Sequence, residues 1–448
     1  MVIGVDVDGV LTDMEEYQLK YGKKYFKKTD DEIKEDEIDI SGIFGVSKTE
    51  REKFWLKYIW KYCVEPPKMN SAETIRKLKE EGHEIHIITG RAHTTEKGIT
   101  GKLFRWMLTK WLKKWDIPYD SITYCKEKGS EADKVKACEE LNVDVLIDDK
   151  RENVVEVGKT RKVLCFDAKY NQGVEGDNII RVNNFNQVYD SIKRIEDENY
   201  FEEKTNDEIS EMNNEEKIEY YKSLKNYISN LPFDESIHEK HEKNYVRAYK
   251  LVQPILKRKF KLKVFNRELV PDAKGVLFVS NHNNYYDQFP IMVALNDSRP
   301  IHFLTATKML KMKRGKAYIA TGAISVDRED PKDRENSSLE VKKLLTHGKD
   351  VFIFPEGRTN RNEAFLLDFK PGAMAIARDT GCTVVPVAVN DNYKKSSGDL
   401  CVRFGEPFTV NPEDDIIAKT EELKNIIGNM KQENIDYVES KKLIKRKH

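Results

Sequence analysis

"GVDVDGVLTD", residues 4–13, carries a small and apolar run into Asp6, then Val7, Asp8 and Gly9. Open α/β sheets keep their ligands at the carboxyl ends of their strands. A short buried strand that ends in two carboxylates is therefore a chemically loaded strand end. Asp6 and Asp8, two residues apart, project to the same side. Outward from this stretch, further β-rich runs follow: "HEIHIITG" (83–90), "DVLIDD" (144–149), "KVLCFD" (162–167) and "NIIRVN" (178–183), with helical "SAETIRKLKEEG" (71–82) between them. Strands alternating with helices predict a parallel sheet with crossover helices over residues 1–195. Residues 14–70, charged and then aromatic, interrupt the pattern as a helical insertion after the first strand.

At 448 residues the chain is too long for one ordinary core, and two domains are expected. Hydrophobic residues make up 39%, enough for globular folding. No apolar run approaches the roughly 18 residues of a membrane span, and the N-terminus has no basic stretch leading into an apolar one. Six cysteines (63, 125, 138, 165, 382 and 401) lie scattered without a C-x-x-C, which reads as free thiols in a reducing cytosol. The net charge of zero hides an asymmetry. Residues 1–235 hold 39 Lys and Arg against 49 Asp and Glu, and residues 236–448 hold 38 against 28. The acidic half has no polyanion to grip, whereas the basic half suits anionic surfaces or ligands. Residues 196–235 read as an acidic, solvated helical linker.

"LIDD" places Asp148 and Asp149 at another strand end, and "IITGR" places Thr89 at a third. Clustered carboxylates repel unless a cation neutralises them, and Mg²⁺ suits an all-oxygen set. Phosphoryl transfer through an aspartyl-phosphate follows, with Asp6 attacking phosphorus and Asp8 serving as acid, then base. Thr89 and Lys134 would hold phosphoryl oxygens, with Lys126 and Lys128 as competitors for the lysine's place. These motifs resemble the haloacid dehalogenase-like phosphatase superfamily. The early insertion, "FWLKYIWKY" (54–62) and "IDDKRENV" (147–154) look most like its deoxyribonucleotidase branch with a small helical cap. The resemblance implies magnesium on Asp6, the Asp8 carbonyl and the Asp148–Asp149 pair, and leaves open which of the pair is the direct ligand. Trp55, Ile59 and Tyr62 share a helical face of the cap, with Phe54 and Tyr58 beside it. They serve either as cap packing or as a stack for a substrate base.

A second α/β pattern occupies residues 236–448, with strands "VLFVS" (276–280), "AISVD" (323–327), "DVFIF" (350–354), "TVVPVAV" (383–389) and "LCVRF" (400–404) and helices over 336–347, 371–380 and 413–432. "FVSNHNNYYDQFP" (278–290) sets His282 after a strand with Asp287 five residues on, a base with an orienting carboxylate. "GAISVDRED" (322–330) offers Arg328. "VFIFPEGRTNR" (351–361) ends in Glu356, Gly357, Arg358 and Arg361. Pro386 argues for an edge strand or a bulge. In this order the blocks resemble the glycerolipid acyltransferase family that includes the 1-acyl-sn-glycerol-3-phosphate (lysophosphatidate) acyltransferases, over about 255–410. The resemblance implies acyl transfer from coenzyme A or acyl carrier protein to a lysophosphatidate-like acceptor. In that reaction His282 is the base, Asp287 orients it, and Arg328, Glu356, Gly357 and Arg358 position the acceptor. The family's usual Thr-Arg order is reversed here as Arg358-Thr359, so Arg361 competes with Arg358 for the acceptor phosphate. The apolar strand around Pro386 shapes either the acyl site or plain core.

Residues 244–264, with seven cations and a helix broken at Pro254, and the basic run 308–316 suit an anionic membrane surface, where each Lys or Arg contributes about 1 kcal/mol. The tail 441–448 reads as disordered. The expectation is thus a bifunctional α/β chain of phospholipid biosynthesis: a Rossmann-like phosphatase domain with a cap, joined to an acyltransferase domain. It is cytoplasmic, peripheral at the inner face of the membrane, and binds no nucleic-acid polymer. The alternatives are a nucleotidase or a non-catalytic ligand-binding domain regulating a fused acyltransferase with another acceptor.

Overall fold

The computed structural model describes residues 1–127, 129–197, 200–310, 315–361, 363–390 and 399–446. The chain divides into two units, Met1–Tyr200 and Phe201–His448.

The first unit is built on six strands: β1 (Val2–Val5), β2 (Glu84–Thr89), β3 (Ser121–Tyr124), β4 (Val145–Asp148), β5 (Lys162–Phe166) and β6 (Ile179–Val182). They lie in the order β3-β2-β1-β4-β5-β6, all parallel. β1 and β4 are central, which is why "VIGV" and "VLID" read as continuous apolar runs. The order reverses beside β1, and the crevice at such a switch point is where doubly wound sheets bind ligands. Between β1 and β2 lie the helices Met14–Phe26, Ile40–Phe44 and Lys48–Tyr62 of the insertion. Ser47 and Glu50 form a capping box that starts the last of these. Ile40, Ile43, Phe44 and Phe54 give the insertion its own small core.

The second unit holds β7 (Lys261–Phe265), β8 (Leu277–Ser280), β9 (Ile301–Ala306), β10 (Ile324–Val326), β11 (Asp350–Ile353), β12 (Val384–Val389) and β13 (Asp399–Phe404), in the order β10-β9-β11-β8-β12-β13-β7. β12 and β13 pair antiparallel, and the other pairs are parallel. Pro386 therefore lies in an interior strand, not at an edge. Its carbonyl accepts from Gly405 just past the end of β13, so its missing N–H faces the point where that ladder stops. The residues of β12 are all buried core.

Residues 206–211 and 214–230 are helical as expected, but the second helix is packed, not solvated. Tyr220, Tyr221, Leu224 and Ile228 are buried, and the helix lies against Pro331–Thr346 and Gly372–Thr380. Residues 235–259 form one helix that continues through Pro254, with Tyr249 and Leu256 buried on either side holding it to the core. Beyond it, 261–265 is the edge strand β7, whose outward lysines guard an open edge. The final helix, Ile416–Arg446, extends into the tail that the sequence reads as disordered. Residues 311–314 of the second basic run lie outside the described residues. No helix among the described residues is long and apolar enough to cross a membrane.

Candidate active sites

Asp6 continues β1 by one residue, its N–H donating to Ile147 O at 3.0 Å. The chain then turns at Gly9, whose φ is +85°. A Cβ there would lie 1.8 Å from Asp149 Oδ2, so only glycine lets the loop pass the carboxylate. Carboxylate oxygens of Asp6, Asp148 and Asp149 lie within 4.8 Å of one another, all buried. Lys134, fully buried on the helix Ser130–Glu140, donates to Asp6 Oδ2 at 2.7 Å and to Asp148 Oδ2. Asp148 also accepts from Lys150 N at 2.9 Å and from Asn153 Nδ2 at 3.1 and 3.2 Å. Both its oxygens are thus engaged behind the site. Asp149 faces the cavity and accepts from the Tyr170 hydroxyl. Burial, with Asp148 and Asp6 adding to it, pushes the Asp149 carboxyl up to about 8. Burial outweighs Lys134 at Asp6 and raises it to about 6. Burial alone would lower Lys134, but the two carboxylates reverse that and raise it. One ammonium among three buried carboxylates leaves excess negative charge.

Asp8 is held from the insertion side. Tyr62 Oη donates to Asp8 Oδ1 at 2.7 Å, and the Arg91 guanidinium lies 2.9 Å from the same oxygen. The cavity above the carboxylates measures about 690 Å³. Its floor is Asp6, Asp8, Lys134 and Asp149, and its far wall includes Trp55, Ile59 and Phe104. Thr89 is fully buried at the end of β2, its hydroxyl accepting from Arg91 N at 3.3 Å.

In the second unit, His282 follows β8. Its Nδ1 lies 3.1 Å from Oδ2 of the fully buried Asp287, an oxygen that also accepts from Asn284 N at 2.7 Å. Its Nε2 lies 3.1 Å from the Thr359 hydroxyl, and the ring stacks on Phe354 with centroids 4.1 Å apart. A cavity of about 570 Å³ opens in front of it. Phe303, Leu304, Val341 and Ile376 give it an apolar wall, while Arg328, Arg334, Arg358 and Arg361 give it a cationic one. Arg358 forms a bidentate pair with Glu363 at 2.7 and 2.6 Å, and Arg361 donates to Tyr285 Oη at 2.8 Å.

A family model for 5′-nucleotidase, deoxy (pyrimidine), cytosolic type C protein matches residues 1–198, and one for acyltransferase matches residues 261–390. A nucleotidase of Clostridium acetobutylicum is 30% identical over 195 residues, 43% of this chain and 94% of that protein. Through its first unit the chain belongs to the nucleotidase family, and its second unit carries the match to the acyltransferase model. A 1-acyl-sn-glycerol-3-phosphate acyltransferase of Chlamydomonas reinhardtii is 29% identical over 132 residues, 29% of this chain and only 39% of the algal protein. The solved acyltransferase PlsC of Thermotoga maritima aligns with a TM-score of 0.34 and 16% identity, over 50% of this chain and 85% of that one.

In the nucleotidase unit, the structure brings together Asp6, Asp8, Lys134, Asp148 and Asp149. Lys126 is exposed, with its backbone N–H donating to Asp133, while Lys128 lies outside the described residues. Tyr62 takes a role that neither sequence reading gave it, holding Asp8. Arg91 was legible only as part of "TGR". Trp55 and Ile59 line the cavity, whereas Phe54 packs the insertion. In the acyltransferase unit, Arg328, Gly357 and Arg358 line the cavity with His282. Glu356 is not among the described residues that line that cavity. Its two oxygens accept from His282 N at 2.6 Å and Leu367 N at 3.0 Å, so it fixes the backbone under the imidazole. The apolar wall comes from β9 and two helices, not from the strand around Pro386.

Proposed function

We propose that the chain is a bifunctional enzyme. Its first unit is a magnesium-dependent phosphomonoesterase of nucleotidase type, and its second esterifies a lysophosphatidate-like acceptor from an acyl thioester on coenzyme A or acyl carrier protein. The convergence of Asp6, Asp148 and Asp149 under an aromatic-walled cavity carries the first half. Their all-oxygen, charge-excess donor set fits Mg²⁺. Asp6, Asp149 and the Asp8 carbonyl would hold the ion, while Asp148 anchors Lys134. Bound there, it would neutralise carboxylate charge against an incoming phosphate. Asp6 attacks phosphorus as the leaving oxygen departs with a proton from Asp8. Asp8 then takes a proton from the water that hydrolyses the aspartyl-phosphate, which frees Asp6. Lys134 and Arg91, which line the cavity, would hold phosphoryl oxygens, with the buried Thr89 hydroxyl tied to the Arg91 backbone behind them. Trp55 offers a base its face, which favours a nucleotide over a bilayer lipid.

The Asp287–His282–Thr359 chain of contacts carries the second half. The Thr359 hydroxyl occupies the direction an acceptor hydroxyl would take to Nε2. His282 removes that proton as the oxygen attacks the thioester carbonyl, and returns it to the departing thiolate. Asp287 fixes the tautomer. The arginines receive the acceptor phosphate, and the apolar wall receives the acyl chain. Exposed Leu251 and Ile255, flanked by Arg247, Lys250, Lys257, Arg258 and Lys259, give the helix Glu235–Lys259 a face suited to an anionic lipid surface.

The full chain with Mg²⁺ should hydrolyse deoxynucleoside monophosphates in preference to sugar phosphates and lysophosphatidate, and should release thiol from an acyl thioester only when lysophosphatidate is present. Lysophosphatidate as the preferred phosphatase substrate contradicts the nucleotidase reading. Acceptor-independent thiol release means a thioesterase.

A further inference from the structure

Away from both sites, three histidines meet inside the second unit. His238 and His241 stand three residues apart on the helix Glu235–Lys259, one turn in, and so share a face. His302 lies on β9. One ring nitrogen of each comes within 4.8 Å of the others. His238 is 8% exposed and His302 3%. The cluster could be plain aromatic packing, since Phe233 is stacked between His238 and His347 at centroid distances of 4.2 and 3.9 Å. Three observations speak against packing alone.

Nδ1 of His238 and Nδ1 of His241 are both buried without a hydrogen-bond partner. Buried polar atoms normally have one, and two orphans in one cluster ask for a shared partner. His302 Nδ1 lies 2.8 Å from Gly322 O. A carbonyl only accepts, so Nδ1 carries the hydrogen and Nε2 is left with its lone pair. That is the backbone-carbonyl support that fixes the tautomer of a metal-ligating histidine. The support needs a bare backbone: Gly322 has φ +77°, and a Cβ there would lie 2.5 Å from His302 Nδ1 and 3.1 Å from His241 Cβ. Burial lowers all three histidines and favours their neutral forms, outweighing at His302 the Gly322 carbonyl and the carboxylates of Glu242 and Glu340.

We propose that His238, His241 and His302 form a binding site for a zinc-class divalent transition metal, which ties the helix Glu235–Lys259 to β9. Three imidazoles are a zinc donor set and a poor one for magnesium. The same strand ends in residues that line the acyltransferase cavity, Phe303 to Ala306. The metal therefore acts as a brace for that wall, not as a participant in either reaction.

The test uses the full chain, stripped with a chelator and reloaded. Wild type should take up about one equivalent of Zn²⁺ that survives dialysis against Mg²⁺, with a rise in melting temperature. Loaded with Co²⁺, it should show the strong visible absorption of a nitrogen-ligated tetrahedral site, which an all-oxygen octahedral site lacks. His241→Asn, at the least buried of the three, should lose more than the roughly 10–100-fold in Zn²⁺ affinity that removal of an outer-shell partner costs. Asp148→Asn should leave the Co²⁺ spectrum unchanged, which separates this site from the carboxylate cluster. Absence of retained Zn²⁺ and of the Co²⁺ bands in wild type overturns the proposal, as does an undiminished Zn²⁺ affinity in His241→Asn.

Discussion

At the scale of residues, the nucleotidase unit pays for its site with charge repulsion. Asp149 and Asp6 are raised by burial and by their carboxylate neighbours, against an unfolded value of about 3.9. Between roughly pH 4 and pH 8 the folded state then binds more protons than the unfolded state. Its stability falls as pH rises through that window. In chelated protein, Asp149→Asn removes the larger part of this penalty. Its melting temperature should exceed wild type most near pH 8, and the gap should close toward pH 5. Thermal scans across that range check it, and a gap that widens on acidification contradicts it. Asp6, Asp8, Asp148, Asp149, His282 and Asp287 were legible because each ends or follows an apolar strand. The role of Tyr62 was not, because it depends on the insertion folding back over β1, and helical spacing does not report that. The contacts of Glu356 were hidden for a related reason: nothing in the sequence tells that its two oxygens accept from the backbone N–H groups of His282 and Leu367.

At the scale of elements, the strands buried on both faces were readable as apolar runs, and three others were not. β3 is four half-buried residues, β7 alternates with lysines at an edge, and β9 carries as its second residue a histidine, His302, that belongs to another cluster. Edge position and mixed burial erase the pattern that sequence reading relies on. The helix Lys48–Tyr62 lines the cavity with some of its side chains and packs the insertion with others. Phe54 is fully buried in the insertion, while Trp55 faces the cavity with Ile59. Trp55→Ala should therefore raise the KM for deoxynucleoside monophosphates by about tenfold, in line with the roughly 1–3 kcal/mol of a base–aromatic stack. It should leave the KM for a small phosphomonoester without a base nearly unchanged. Steady-state kinetics on both substrates decide this, and equal losses on both would make Trp55 a packing residue.

At the scale of the molecule, the charge asymmetry of the sequence is smaller than its halves suggest. The acidic stretch 201–235, which includes the packed helix Asn214–Asn230, belongs to the second unit. Counted by unit, residues 1–200 hold 35 Lys and Arg against 39 Asp and Glu, and residues 201–448 hold 42 against 38. The proposed attraction to a membrane then rests on the local face around Leu251 and Ile255, not on a whole basic half. The 448-residue chain should sediment with anionic vesicles, weakly with neutral ones, and less as salt screens charges beyond about 8–10 Å. Replacing Lys257, Arg258 and Lys259 with Gln should reduce that binding. Equal binding to neutral and anionic vesicles at every salt concentration contradicts a charge-led face.

The central claim is that one chain carries two complete and separate sites. The direct test measures both reactions in the same preparations of wild type, Asp6→Asn and His282→Ala. Losing a general base costs on the order of 10²–10⁴-fold in rate, so His282→Ala should nearly stop lysophosphatidate-dependent thiol release and leave Mg²⁺-dependent hydrolysis of a deoxynucleoside monophosphate at wild-type rate. Asp6→Asn should do the reverse. Full phosphatase activity in Asp6→Asn, undiminished acyl transfer in His282→Ala, or loss of both reactions from either single substitution would contradict the account.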